Sequence, residues 1–242
     1  MTNFGLIETI KIIGGKSVLL ELHIERLKTS LNKLGIQIAE NEIIDKVGEL
    51  IHLEQSKNKI SNFRLRLEVT KLVNKNEIQW QSSSMLLPSD VQQTLGITIY
   101  RQQFKKINSF CNLKTTDRTI YHQAQEFANK NNFETAVVLN ENFTIADAPI
   151  FNLFMIKGNK IFTPPLSDAP VSGVFRAFLL HHNFNIQEQS ITPEMLLEAE
   201  EIFLTNAVRG IVEVGYFEGK KISTIQTNNN QLGLLQKSEN SQ

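Results

Sequence analysis

Three residues between positions 114 and 173 occur in the order that one kind of cofactor site requires. Lys114 lies within residues 112–118, Asp147 follows it, and Gly173 opens a stretch typical of a helix start. A lysine provides an amine for covalent attachment, a carboxylate keeps a pyridine nitrogen protonated, and a helix N-terminus binds phosphate. This order predicts a pyridoxal phosphate site with Lys114 as its reactive residue.

The composition is that of an ordinary globular chain with balanced charge. Of 242 residues, 41% are hydrophobic and 21% are charged, which suits one large or two modest domains. The 25 basic and 25 acidic side chains cancel, so we expect no nucleic-acid or membrane partner. A single cysteine, Cys111, and the lack of a signal peptide or long apolar run predict a cytoplasmic location. The histidines have no metal-ligand spacing, so we expect no metal.

The first half of the chain predicts an antiparallel α+β unit. Apolar residues recur at helical spacing from Leu20 to Leu34, and Gly35 ends that helix. A second helix is predicted after Asn41, with its buried side formed by Ile43, Ile44, Val47, Leu50 and Ile51. Phe63, Leu65, Leu67 and Val69 alternate with polar residues, which is the period of a half-buried strand. Further strands are predicted at residues 5–12, 17–20, 77–86 and 95–101.

The second half mixes helices and strands after a polar, basic stretch at residues 102–109. Thr115 or Thr116 is the expected N-cap of a helix reaching about residue 131, and Thr192 with Pro193 begins another. A helix is also predicted at residues 173–181, and a frayed tail from residue 227. Gly158 and Asn159 are a favoured turn pair joining two strands. Strands are predicted at residues 134–139, 152–156, 160–163, 184–189, 201–205 and 211–217.

Several segments together resemble the class IV aminotransferases, a family of pyridoxal phosphate enzymes. The resemblance covers nearly the whole chain and is carried by residues 6–10, 23–27, 112–118, 152–154, 163–168, 173–174 and 204–210. It implies the two-domain α+β fold called D-amino acid aminotransferase-like or fold type IV, with a shortened N-terminal domain. We expect a small N-terminal domain at residues 1–103, a linker at 104–111 and a larger cofactor-binding domain at 112–242.

The same resemblance assigns roles to individual residues. Lys114 is implied to hold the cofactor covalently and to move the Cα proton of the substrate, and Arg26 to contact the cofactor phosphate. The phosphate is also expected at the backbone of Gly173, Val174 and Phe175, and at a second loop that contains Asn206 and Ala207. Phe175 replaces a small or hydroxyl residue, which backbone binding tolerates.

Two further positions depart from the family pattern. Asp147 stands where a glutamate usually faces the pyridine nitrogen, and it reaches one methylene less far. Arg118 stands where a tyrosine is common, with Tyr121 nearly one turn later. Arg64 and Arg66 share one strand face, where they could bind a substrate carboxylate or lie in solvent.

Three functions remain open from the sequence. Residues 204–211 are more similar to the loop of aminodeoxychorismate lyases, which release pyruvate and 4-aminobenzoate in folate synthesis, than to the Thr/Ala-rich loop of aminotransferases. The alternatives are an aminotransferase for branched-chain or D-amino acids and a degenerate, non-catalytic family member. The family further implies a small-molecule substrate and a homodimer with active sites near the subunit interface.

Overall fold

The computed structural model describes residues 5–72, 77–88, 94–182 and 185–222. Contacts divide the chain into two compact units: Met1–Ser89 with Leu113–Asp117, and Asp90–Asn112 with Arg118–Gln242. Among the described residues, no helix combines the length and the apolar character needed to cross a membrane.

The first unit is an antiparallel sheet covered by two helices. The strands lie in the order β2-β1-β3-β4, and every neighbouring pair runs antiparallel. Apolar side chains of the sheet and of both helices form a common core. The elements are β1 Gly5–Ile13, β2 Lys16–Ser17, α1 Leu20–Lys33, α2 Glu40–Asn58, β3 Phe63–Leu72 and β4 Glu77–Met85.

The alternation predicted for β3 is confirmed, since Phe63, Leu65, Leu67 and Val69 are all buried. Other predictions for this unit need correction. Ile44 is 43% exposed, because the apolar stripe of α2 is narrower than the sequence suggested. The strand predicted at residues 17–20 ends at Ser17, because Leu20 already begins α1.

The second unit is built on a mixed sheet in the order β10-β9-β8-β11-β12-β5-β6-β7, with β13 paired to β12. Pairs β9–β10, β5–β12 and β5–β6 are parallel and the others antiparallel. The strands are β5 Leu95–Lys105, β6 Thr135–Asn140, β7 Ile145–Asp147, β8 Asn152–Lys157, β9 Lys160–Thr163, β10 Ile186–Glu188, β11 Glu201–Asn206, β12 Gly210–Phe217 and β13 Lys220–Lys221. The helices are α3 Thr119–Lys130, α4 Val174–His181 and α5 Pro193–Leu197, with a 3-10 turn at Leu166–Asp168.

The placement of β5 corrects the predicted architecture. We expected residues 95–101 to join the antiparallel sheet of the first half, but β5 pairs in parallel with β12 and β6 in the second unit. Neighbours on both edges and burial along Ile97–Tyr100 explain its near-continuous apolar run. The polar, basic stretch at residues 102–109 is in part strand, because β5 continues to Lys105.

Several turn and cap predictions for the second unit are confirmed. Gly158 has φ +60° in the turn between β8 and β9, a conformation that favours glycine. The Thr192 side chain accepts a hydrogen bond from Met195 N at 3.3 Å and caps α5. The tail from residue 227 and Phe184 lie outside the described residues, and β10 spans Ile186–Glu188.

Candidate active site

Lys114 is held beside β1 of the first unit as a short strand-like extension. Its carbonyl accepts a hydrogen bond from Ile7 N at 2.8 Å, and Thr115 forms an isolated antiparallel bridge with Leu6. The Lys114 Nζ donates to Thr9 Oγ1 at 3.0 Å. The backbone therefore fixes the lysine, while a hydroxyl on the neighbouring strand orients its amine.

This arrangement overturns the predicted N-cap at Thr115 or Thr116. Thr116 N donates to Gly5 O at 2.8 Å, and Thr116 Oγ1 accepts from Gly5 N at 3.1 Å. Since both groups of Thr116 are used on β1, the helix begins only at Thr119, after Arg118 and without a side-chain cap. The threonine was predicted to cap a helix but instead fastens the Lys114 segment.

Arg26 belongs to a buried cluster with Glu8 and His23. The Glu8 carboxylate accepts from Arg26 Nε at 2.7 Å and also contacts Arg26 through its other oxygen. His23 Nδ1 lies 2.6 Å from the same carboxylate, while His23 Nε2 is buried without a hydrogen-bond partner among the described residues. Arg26 is therefore not a solvated helix arginine, because β1 fixes its guanidinium through Glu8.

Electrostatics keeps this cluster charged at Glu8 and neutral at His23. Burial would raise the pKa of Glu8, but the Arg26 guanidinium and His23 outweigh it and hold that pKa well below its ordinary value of 4.5. Burial lowers the pKa of His23, opposed by Glu8 and assisted by the charges of Arg26 and Lys114. Lys114 thus lies within electrostatic reach of the Arg26 cluster.

Arg64 and Arg66 lie on the same sheet face as Thr9. Thr9 is directly opposite Arg66 in the β1–β3 register, and Lys11 is opposite Arg64. Arg66 pairs with Glu68 at 3.3 Å, whereas Arg64 Nε is buried without a hydrogen-bond partner among the described residues. Since directly opposed residues have Cβ atoms about 5 Å apart, this cationic face adjoins the hydroxyl that contacts Lys114.

In the second unit, Gly173 is the N-cap of α4 and offers no side-chain cap to the helix. A Cβ at this position would lie 1.7 Å from Asn152 Oδ1, so the absence of a side chain is required by close approach. Val174 and Phe175 are buried, and the Phe175 ring packs against Phe178. Their side chains serve the core, which leaves their backbone N–H groups at a helix start suited to an anion.

The predicted second loop joins β11 to β12. Asn206 Oδ1 accepts from Val208 N at 2.9 Å and Arg209 N at 2.8 Å, so this side chain shapes the turn that contains Ala207. Thr205 is opposite Asn152 in the β8–β11 register, and its Oγ1 is buried without a partner among the described residues. Through Asn152, the loop and the Gly173 helix start belong to one region of the second unit.

Asp147 is a buried strand residue with several donors around its carboxylate. It is 1% exposed, which excludes an exposed turn aspartate. Tyr121 OH lies 2.9 Å from both oxygens, and Val171 N donates to Oδ2 at 2.7 Å. Lys105 Nζ lies 3.4 Å from Oδ2 and also contacts the Tyr121 hydroxyl. Asp147 is thus held by β5, α3 and the segment before α4.

Arg118 packs against this cluster instead of pointing to solvent. Its guanidinium lies 4.0 Å from the centroid of the Tyr121 ring and donates to Pro149 O. The phenol that could replace the family tyrosine is therefore engaged with Asp147 and Arg118.

Sequence reasoning missed Lys105, Glu8, His23 and Thr9 as members of these clusters. Lys105 fell in a stretch interpreted as linker because its neighbours are polar and basic. A signal for Glu8 was available, since an acid in the otherwise apolar strand of residues 6–10 must find a partner when buried.

The family model for amino-transferase class IV matches residues 5–216. The chain therefore belongs to the class IV aminotransferases, and it is a pyridoxal phosphate-dependent enzyme with the α+β fold type IV architecture.

Individual relatives carry more than one activity. An aminodeoxychorismate lyase of Bacillus subtilis (strain 168) is 27% identical over 224 residues, covering 86% of this chain and 75% of the relative. A D-alanine aminotransferase of Bacillus licheniformis is 23% identical over 236 residues, covering 91% and 81%. A Legionella pneumophila structure provisionally named as a 4-amino-4-deoxychorismate lyase has a TM-score of 0.87 at 22% identity, covering 98% and 90%.

The donor set of the chain fits the cofactor. The Gly173 helix start lacks a side-chain cap, so its backbone N–H groups are suited to an anion. The buried Thr205 hydroxyl lacks a protein partner among the described residues, so it has a donor to offer in the same region. Lys114 presents a hydrogen-bonded amine for covalent attachment.

Proposed function

We propose that this enzyme is an aminodeoxychorismate lyase, which converts 4-amino-4-deoxychorismate to 4-aminobenzoate and pyruvate for folate synthesis. The observation that carries the proposal is the loop of residues 204–210, whose sequence resembles that of these lyases and whose turn is shaped by the Asn206 side chain. The Bacillus subtilis lyase, at 27% identity over most of both chains, supports it.

The proposed site has a covalent centre and a phosphate-binding region. Lys114 Nζ would hold the cofactor, move the Cα proton of the substrate and protonate the leaving enolpyruvate so that pyruvate is released, with Thr9 orienting the amine. Bound pyridoxal phosphate supplies an electron sink for the substrate carbanion. Arg26 and the backbones of Gly173–Phe175 and Asn206–Ala207 would hold its phosphate.

Two further groups would complete the site. Asp147 is assigned to the ring nitrogen, since its buried carboxylate is kept in place by Tyr121 and Val171 N. Arg66, opposite Thr9, and Arg64 are assigned to a substrate carboxylate, because a guanidinium binds carboxylates through two parallel hydrogen bonds. An Arg66→Met variant is expected to raise KM more than it lowers kcat, whereas equal kcat and KM would remove Arg66 from the site.

The attachment experiment tests the centre of the proposal. Purified protein is loaded with pyridoxal phosphate, reduced with borohydride and digested, and the modified peptide is found by mass spectrometry. The cofactor mass is expected on Lys114, and Lys114→Ala should lose the visible absorbance of the bound cofactor and all activity. Lys130→Ala, at an exposed helix position, is the matched control. Full activity of Lys114→Ala would refute the mechanism.

A second candidate is an aminotransferase, which the Bacillus licheniformis D-alanine aminotransferase supports. The cofactor residues are common to both reactions, so product assays must separate them. Release of 4-aminobenzoate from aminodeoxychorismate without an added keto acid supports the lyase, whereas amino transfer that requires a 2-oxo acid supports the aminotransferase. Membership of an enzyme family speaks against the non-catalytic alternative.

We further propose that the enzyme works as a homodimer, as the family resemblance implies. Light scattering of the purified protein should give twice the 27.5 kDa mass of the chain. A monomer with full activity would contradict the dimer while leaving the reaction unaffected. The predicted cytoplasmic location stays a prediction.

A further inference from the structure

Lys105 reaches Asp147 because β5 leaves its regular register and returns. β5 pairs with β6 up to Tyr100 opposite Val138, and after a register shift Lys105 pairs with Asn140. Residues 101–104 between these points are exposed, whereas the Lys105 side chain is only 10% exposed. Because of the register shift, Lys105 lies in a buried position although its neighbours in sequence are exposed.

The Lys105 amine acts on Asp147 by two routes. Its Nζ lies 3.4 Å from Asp147 Oδ2, which is a direct ion pair. It also donates to the Tyr121 hydroxyl, which in turn donates to the carboxylate, with its oxygen 2.9 Å from both Asp147 oxygens. The three polar groups form a closed triangle, so movement of any one disturbs the other two.

A buried carboxylate is more stable beside a group of opposite charge. Burial in a low-dielectric environment favours the neutral acid, and an adjacent positive charge favours the carboxylate. Val171 N and the Tyr121 hydroxyl orient Asp147, but neither carries a charge to balance it. Among the described residues, Lys105 is the cation that forms a salt bridge with Asp147. A protonated Asp147 could not serve as the anion that a pyridinium nitrogen requires.

We propose that Lys105 is a positioning residue that balances the charge of Asp147 and orients its carboxylate, directly and through Tyr121, for the ring nitrogen of the cofactor. This inference rests on the proposed role of Asp147. Lys105 itself is assigned no contact with the substrate or the cofactor.

Charged and titratable groups surround the amine from several elements. Asp147 of β7 and Tyr121 and Arg118 of the α3 region face it, together with Cys111 of the preceding loop. Burial lowers the pKa of Lys105 below its ordinary value of 10.5, against the opposing charge of Asp147. Burial and Asp147 raise the pKa of Tyr121, so the phenol remains a donor. As pH rises, Lys105 therefore loses its charge before Tyr121 ionises.

The test compares pyridoxal phosphate affinity across variants of the full chain. Lys105→Met and Lys105→Gln are expected to bind about tenfold more weakly than the unmodified protein at neutral pH, because a close buried charge pair is lost. Lys105→Arg should bind nearly as well as the unmodified protein. As pH rises and Lys105 loses its proton, the affinity of the unmodified protein should approach that of Lys105→Met. Lys105→Arg should keep its higher affinity relative to Lys105→Met up to a higher pH. Because each comparison is between two variants at the same pH, the effects of Lys114 and of the cofactor phosphate on binding cancel.

Asp147→Asn separates this inference from the proposed function. If Asp147→Asn weakens binding while Lys105→Met and Lys105→Gln do not, the role of Lys105 is refuted and that of Asp147 stands. Unchanged binding by Asp147→Asn would refute the assignment of Asp147 itself. If Lys105→Arg binds as weakly as Lys105→Met at every pH, Lys105 has only a packing role. Urea unfolding of each variant identifies any that does not fold, and Lys105→Gln then replaces Lys105→Met.

Discussion

Glu8 in the first unit and Asp147 in the second are both buried carboxylates, but their charges are balanced differently. Glu8 is bound by the guanidinium of Arg26 and by His23. Asp147 is bound by a phenol, a backbone amide and the Lys105 amine, whose own pKa is lowered by burial. A carboxylate paired with a guanidinium keeps its cationic partner at all physiological pH values, whereas one paired with a buried amine loses that partner's charge when the amine is deprotonated. The following predictions test this difference.

The largest effect is expected from Glu8→Gln. The substitution removes the carboxylate that pairs with the largely buried Arg26 guanidinium, and breaking such a buried ion pair typically costs about 3–5 kcal/mol in the free energy of unfolding. Urea denaturation measures this loss. The matched control is Glu40→Gln, which breaks the exposed pair with Lys28 and should cost less than about 1 kcal/mol. Equal costs for the two variants would show that the Glu8 cluster is not a buried ion pair.

A smaller loss is expected from Tyr121→Phe. The ring and its packing remain, but Asp147 loses a hydrogen bond to a charged group, which contributes about 1.5–3 kcal/mol. The same denaturation experiment measures it. Tyr216→Phe, at a half-exposed tyrosine, should change the free energy of unfolding by no more than about 0.5 kcal/mol. If both variants behave alike, the Asp147 carboxylate does not depend on the phenol.

The pH dependence of stability should separate His23 from Glu8. Both folded-state pKa values are lowered, so each group contributes stability that is present above its unfolded pKa and lost as pH falls. The loss from His23 begins near 6.5 and that from Glu8 near 4.5, each with a slope of at most about 1.4 kcal/mol per pH unit. Unfolding free energies should show the His23 slope first.

His23→Gln gives the control for that profile. In this variant the free energy of unfolding should change little between pH 6.5 and 4.5, while its decrease below pH 4.5 remains. An unchanged slope in this variant would mean that His23 is not held neutral in the folded state.

The smallest effect is expected from Arg118→Lys. The charge is kept, but the planar stack 4.0 Å from the Tyr121 ring centroid is lost, which should cost about 0.5–1 kcal/mol. Thermal unfolding checks this value. Arg209→Lys, at an exposed arginine, is the control and should be close to neutral. A loss as large as that of Tyr121→Phe would show that Arg118, too, supports Asp147.

Local patterns predicted most elements of the fold. Alternation located β3, helical spacing located α1 and α2, and Gly158 located the turn between β8 and β9. The sheet that contains β5 was not predictable in this way, because a strand carries no local signal of its distant partners. The N-cap predicted at Thr115 or Thr116 was wrong for the same reason, since the partner of Thr116, Gly5, lies 111 positions away.

The candidate site shows the same division. Residue types and their order identified Lys114, Asp147 and Gly173. In the structure, the Lys114 amine is oriented by a hydrogen bond, and any side chain at Gly173 would clash with Asn152. Their supporting contacts were not identified. Lys105 and Asp147 are 42 positions apart, and their contact depends on a register shift in β5 that no short motif encodes. The roles of the site residues stay predictions.

The parallel pairing of β5 with β12 has a consequence for synthesis on the ribosome. Leu95 pairs with Val214 and Ile97 with Phe217, so β5 emerges long before its partner exists. The strands and helices of the first unit, by contrast, are complete once residue 117 has been made. We therefore expect the first unit to fold during translation. Until β12 has been synthesised, the edge of β5 that pairs with it stays unpaired and prone to aggregation.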